Sequence, residues 1–248
     1  MVAAVLAASL ALAASRPAPF VVVVDAGHGG DQDGAVSPTG LKEKELTLQL
    51  AQLLRVRLRQ QGVKVILTRA TDQAVPLANR PIIANALRAD LFVSIHLNSM
   101  ATAEARERTS GVETYFMSAD ATDARATAVA ERENADRLAD APGVDPGDPV
   151  AAILSDLADA SSLQGGSRLA YAIHDRLVAA LGAEDHGVKQ APFYVLAGAQ
   201  MPAVLLEVGF ISNPAESERL ASRAYQAKAV EAIAQGIAAY RQQVRRAR

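Results

Sequence analysis

Short runs of almost wholly apolar residues alternate along this chain with longer stretches in which apolar positions recur every three or four residues. Phe20 to Val24 and Ala203 to Val208 read as buried strands, and Val63 to Thr68 and Leu91 to Ile95 as further strands. Gly111 to Met117 alternates instead, in the manner of an edge strand. Between the strands, Leu46, Leu50, Leu53, Leu54 and Leu58 line one face of a helix that closes at Gly62. A second helix falls around Leu77 to Leu87, with Pro81 tolerated only in its first turn. Ser167 caps a helix carrying Leu169, Ile173, Leu177 and Leu181, with Gly182 past its end. Asn213, Pro214 and Glu216 fit the cap, first position and capping box of the last helix. This order predicts one α/β domain over residues 20–245, with a mostly parallel twisted central sheet flanked by helices.

Two segments depart from the alternation. Met1 to Ala14 is uncharged and built from small and aliphatic residues, and Pro17 and Pro19 follow it. Residues 1–15 therefore read as a signal peptide, with Ala11-Leu12-Ala13 supplying small residues at the cleavage spacing. The other reading is a buried or membrane-anchoring helix, although the run falls short of the ~20 residues a spanning helix needs. Export predicts a periplasmic or secreted protein with no stable membrane span after cleavage. Residues 134–166 turn rich in Asp, Ala, Gly and Pro, with one short apolar face at Val150, Ile153, Leu154 and Leu157. They read as an inserted helical segment.

Composition limits the chemistry. A formal charge of −2 over 248 residues gives no basic stripe for nucleic acid. The absence of cysteine excludes disulfides, thiolate metal sites and a cysteine nucleophile. Any metal must draw on carboxylates and on four histidines: His28, His96, His174 and His186. No nucleophile-elbow pattern surrounds a serine.

In open α/β sheets, ligands bind beyond the carboxyl ends of the strands. The first strand here runs into Asp25-Ala26-Gly27-His28-Gly29-Gly30 and the third into Ser94-Ile95-His96-Leu97-Asn98, while the late strand carries Glu207. A lone histidine is more often a satisfied core residue than a ligand, but two at the ends of neighbouring strands converge on one rim. Two imidazoles and a carboxylate make a catalytic zinc shell with a vacant position. Glu207 lies inside Val204-Leu205-Leu206-Glu207-Val208, where burial is costly unless the carboxylate is paired or used, so it is the candidate acid/base. Glu43 and Glu45 open the first helix, and the helix dipole alone accounts for a carboxylate there. His174 is expected on a helix surface rather than at a metal, and His186 in a loop before Gly187-Val188-Lys189, with no role assigned to either.

Four segments together resemble the zinc-dependent N-acetylmuramoyl-L-alanine amidases: Val24 to Gly30, Glu43-Lys44, Ser94-Ile95-His96, and Pro202 to Asn213. Thr68-Arg69, Asp72, Leu77 and Arg80 add to the likeness, which covers nearly all of Val21 to Tyr240. The resemblance implies Zn2+ held by His28, Glu43 and His96, with Glu207 as the catalytic carboxylate. It also implies a second catalytic glutamate at Glu133, although Glu131 and Glu133 equally fit charges on a solvated helix. Arg69 and Arg80 are expected to form structural salt bridges. The implied reaction is cleavage of the amide between N-acetylmuramic acid and L-alanine in peptidoglycan, for cell-wall turnover and daughter-cell separation. Glu-Arg-Glu-Asn followed by an insertion is similar to division amidases whose inserted helix blocks the site until a LytM-domain activator protein removes it. Residues 134–166 would then be autoinhibitory. The alternatives are another zinc hydrolase, such as a peptidase or deacetylase, and a silent peptidoglycan-binding module. Retention of His28, Glu43, His96 and Glu207 argues against the silent module.

Overall fold

Four neighbouring strands run parallel in the computed structural model: β1 (Val21–Ala26), β2 (Lys64–Leu67), β3 (Leu91–Asn98) and β6 (Ala203–Phe210). The structure describes residues 19–136 and 160–246, so the expected signal peptide and most of the expected insertion lie outside the described residues. The sheet has the order β2-β1-β3-β6-β4-β5. β4 (Val112–Met117) pairs antiparallel with β6, and β5 (Asp185–Ala191) runs parallel to β4. The predicted mostly parallel sheet is present, with a reversed pair at one side.

One face of the sheet is covered by α1 (Glu43–Gln60), the long helix α5 (Ala160–Leu181) and the C-terminal helix α7 (Arg223–Arg246). Leu46, Leu50, Leu54 and Leu58 of α1 are buried there, whereas Leu53, expected on the same face, is 41% exposed. The opposite face carries α2 (Asn79–Ala86), α4 (Ala124–Asn134) and the apolar loop from Phe193 to Met201. Short helices α3 (Ala103–Arg108) and α6 (Pro214–Ala221) close the rim. Among the described residues, no helix is long and apolar enough to cross a membrane.

Three local expectations change. β4 is an interior strand, because β5 pairs along its outer side; the sequence DHGVKQA of β5 lacks apolar alternation, and an edge strand does not need it. α5 begins at Ala160, leaving Ser167 inside the helix rather than at its cap. A Cβ on Gly165 would stand 2.5 Å from Pro202 Cγ, so glycine is what allows the helix to lie this close. Asn213 does cap a helix, accepting from the Glu216 amide at 2.9 Å, but that helix is the short α6, and α7 restarts after Ser222. Pro81 falls in the first turn of α2, as its geometry requires.

Candidate metal centre

The carboxyl ends of β1 and β3 deliver the two histidines. β1 and β3 are neighbours in register, with Asp25 opposite Ser94, and the loop after β1 turns back at His28, a non-glycine residue at φ 58°. That left-handed backbone is held from beneath. Arg80 is wholly buried and donates to the carbonyls of Val75 (3.0 Å), Ala26 (2.9 Å) and His28 (3.1 Å), and to Asp25 Oδ1 (3.0 Å). Asp25 also accepts from Thr68 at 2.5 Å and Ser94 at 2.6 Å. Burial opposes its charge, but Arg80 and the two hydroxyls hold its carboxyl below the ordinary range. Arg69 donates to the carbonyls of Ala26, Gly27 and Lys44. Arg80 is thus the expected salt-bridge former, whereas Arg69 works through carbonyl oxygens.

Glu43 enters from the first turn of α1 and is fully buried. Its Oε1 accepts from the Leu97 amide and its Oε2 from the Ala35 amide, both at 2.9 Å. A solvated cap, which describes the exposed Glu45, does not describe Glu43. Gly34 makes this approach possible, since a Cβ there would lie 2.6 Å from His28 Cδ2 and 2.7 Å from Glu43 Oε2, at φ +68°.

The fourth group comes from α4. Glu133 Oε2 lies 2.7 Å from His96 Nδ1 and 3.2 Å from His28 Nε2; Glu43 oxygens lie 3.1 Å from His28 Nε2 and 3.2 Å from His96 Nδ1. His28, Glu43, His96 and Glu133 are all buried, and each offers one donor atom within 4.8 Å of the others. The reading of Glu133 as a solvated charge therefore fails; Glu131 is exposed. Ligands about 2 Å from a tetrahedral zinc stand roughly 3.3 Å apart, and the four His–Glu separations here run from 2.7 to 3.2 Å. Among the described residues, His28 Nε2, His96 Nδ1 and Glu133 Oε2 are buried without a directed hydrogen bond, as expected of donors built for a cation. The donor set of two imidazoles and two carboxylates fits zinc.

Electrostatics agree. Burial opposes a charged His96, yet Glu133 and Glu43 raise its pKa to about 9. His28 is likewise opposed by burial and pushed well above its usual value by Glu43, Asp136 and Glu133.

Glu207 lies on β6 directly opposite His96 of β3, and opposite Glu113 of β4 on its other side. It is wholly buried; burial and the neighbouring Glu133 raise its pKa well above the carboxylate range, against the pull of Arg132. Arg132 links the two glutamates, donating to Glu133 Oε1 at 2.9 Å, Glu207 Oε1 at 3.4 Å and the Ser99 carbonyl at 2.7 Å. Glu207 Oε2 has no hydrogen-bond partner among the described residues. Glu113 is held by Arg125 (2.8 Å), Lys189 (3.4 Å), the Tyr115 hydroxyl (3.0 Å) and the Asn98 amide.

The other histidines stand apart. His174, expected at the surface, is buried on α5, with Nδ1 3.1 Å from the Thr114 hydroxyl and Nε2 2.8 Å from Asp185; it pins α5 to β4 and β5. His186 lies on β5 rather than in a loop, donating from Nε2 to the Ser110 carbonyl at 2.7 Å and stacking edge-on against Phe210. Sequence reasoning passed over Asp25, Arg132 and Asp136. Asp136 follows Glu133 by three residues, a spacing that puts both on one side of a helix end, and that was the available signal.

Residues 22–239 match the family described as N-acetylmuramoyl-L-alanine amidase. The chain is 36% identical over 238 residues to the uncharacterized protein YqiI of Bacillus subtilis, covering 95% of this chain and 93% of that protein. It is 35% identical over 222 residues to the N-acetylmuramoyl-L-alanine amidase AmiA of Escherichia coli, covering 89% of this chain and 75% of AmiA. The solved structure of the amidase AmiC2 of Nostoc punctiforme superposes with a TM-score of 0.68 at 30% identity, over 90% of this chain and 97% of that one. With the family match spanning the whole sheet and every residue of the buried cluster, the chain belongs to the N-acetylmuramoyl-L-alanine amidases.

Proposed function

We propose that this amidase is zinc-dependent and hydrolyses the amide between N-acetylmuramic acid and the L-alanine of the stem peptide, outside the cytoplasm, in cell-wall turnover and daughter-cell separation. His28, Glu43 and His96 hold the metal in this reading, and Glu207 is the acid/base. One observation carries it: four buried donor atoms within 4.8 Å of one another, with a third buried carboxylate, Glu207, in register beside His96. Zinc at this position supplies Lewis acidity toward the scissile carbonyl and makes water more acidic.

The chain's own residues supply the rest. Glu43 is fixed by two backbone amides and Arg80 holds the His28 turn, so the donors need little reorganisation. Glu207, whose Oε2 has no partner among the described residues, takes a proton from the attacking water in its ionised form and delivers it to the alanine nitrogen as the C–N bond breaks. The products are a carboxylate on the muramoyl lactyl group and a free L-alanine amine. A peptidase or deacetylase would release neither pair from intact peptidoglycan, which makes product analysis decisive between these readings.

Glu133 is the second catalytic glutamate in this proposal, held over the histidines until substrate arrives. Its seat on the metal side of both rings supports an autoinhibited resting state in which residues 134–166 keep α4 in place until a LytM-domain activator displaces them. Glu207→Gln tests the central assignment. It is expected to retain about one zinc per chain while muropeptide amine release falls by roughly 10²–10⁴-fold. Full activity in that variant would refute the acid/base role.

A further inference from the structure

Both nitrogens of the His28 ring face carboxylates from the end of α4. Nε2 points toward Glu133 and Glu43, while Nδ1 lies 2.8 Å from Asp136 Oδ2. Asp136 stands just past the helix cap Ala135. A second tie, from the Gln32 amide to the Asp136 carbonyl at 3.3 Å, joins this turn to the loop that carries His28. A ligating histidine needs its metal-facing nitrogen free of a proton and its ring plane fixed; a carboxylate accepting from the other ring nitrogen does both. Among the described residues His96 has no such support: its Nε2 is buried there without a partner, and the arrangement is seen at His28.

Resting on the proposed zinc site, we infer that Asp136 is the positioning residue for His28: it accepts the Nδ1 proton, directs Nε2 into the metal site, and so makes metal affinity depend on the seating of the end of α4. Glu133 and Asp136 grip one imidazole from its two sides. A displacement of that helix end removes a candidate ligand and the orienting partner of a second in one motion. Occupancy of the site and position of the α4 end are then thermodynamically linked: whatever draws the helix end away weakens the metal site, and bound metal holds the helix end in.

The test measures zinc dissociation constants for full-length protein by competition with a chromogenic chelator, for wild type, Asp136→Asn, Asp136→Ala and His28→Ala. Asp136→Ala is expected to bind zinc about 10- to 100-fold more weakly. Asp136→Asn, whose amide oxygen still accepts from Nδ1, should fall between wild type and Asp136→Ala. In zinc-loaded protein, the downfield proton resonance of His28 Nδ1–H should move upfield and exchange faster with water in Asp136→Ala, and be largely restored in Asp136→Asn. A role confined to tethering the chain would leave that resonance in place. Equal zinc affinity in wild type and Asp136→Ala overturns the inference. If His28→Ala also binds zinc like wild type, the metal-site reading itself has failed; if His28→Ala loses zinc while Asp136→Ala does not, only the positioning role is wrong.

Discussion

Replacing Arg80 with Met removes the cation from the base of the site while keeping the length of the side chain. The guanidinium is completely buried, and its loss strands the carboxylate of Asp25, also completely buried, together with the carbonyls of Val75, Ala26 and His28. Removing one partner of a buried pair costs about 3–5 kcal/mol. The orphaned carbonyls add to this to the extent that water cannot reach them. We expect a loss of about 4 kcal/mol in urea unfolding at pH 7, which at a slope of about 2.5 kcal/mol/M lowers the midpoint by roughly 1.6 M. Asp25→Asn removes the charge that Arg80 balances, so the double variant Asp25→Asn/Arg80→Met should be more stable than the summed single losses imply, by about 1–3 kcal/mol. Arg80→Lys keeps the charge but loses the planar fork, and should fall between wild type and Arg80→Met. The His28 turn loses its support in the same variants, so zinc affinity should decline in the same order. A midpoint within about 0.3 M of wild type for Arg80→Met, or strict additivity in the double variant, would refute the assignment of this pair as the foundation of the metal loop.

Three further expectations follow from the same geometry. Gly34→Ala places a methyl group against His28 and Glu43 at a left-handed backbone position, so metal content measured by atomic emission should fall sharply while the far-ultraviolet circular dichroism stays native. Zinc binding should release protons: His96, with its pKa raised to about 9, is protonated at pH 7 in the metal-free protein and must be neutral to ligate. Apparent affinity should then rise with pH and level off near pH 9, and calorimetry in buffers of different ionisation enthalpy should report the released protons; a flat affinity between pH 6 and 8 would contradict it. Removing residues 141–161 should raise amidase activity on purified peptidoglycan, and unchanged or lower activity in a folded deletion variant would count against autoinhibition.

The elements legible in the sequence are those whose burial leaves a periodic trace. β1, β3 and β6 are covered on both faces, and their apolar runs announced them together with the residues at their carboxyl ends. His28, His96 and Glu207 were found for that reason. Residues whose structure answers to a neighbour rather than to their own pattern were not readable. β5 is a polar edge strand, α5 runs through two glycines, of which Gly165 is required by the adjacent Pro202, and His174 is buried by strands outside its own helix. Glu43 illustrates the boundary: helix-end chemistry explains a carboxylate in a first turn, and only the approach of Leu97 and Ala35 amides turns it inward.

The apolar strands β1, β2, β3 and β6, the family motifs and the set of chemically capable side chains were therefore properties of the chain itself, because apolar periodicity and residue type survive in one dimension. Tertiary structure alone decided which carboxylates meet the histidines. Glu133 and Asp136 are 105 and 108 positions from His28 in the sequence, yet they close on its two ring nitrogens. No local rule encodes that meeting. It is fixed by packing α4 across the face of the sheet where β3 and β6 end, in a buried setting where an imidazole and a carboxylate left unpaired would each be costly.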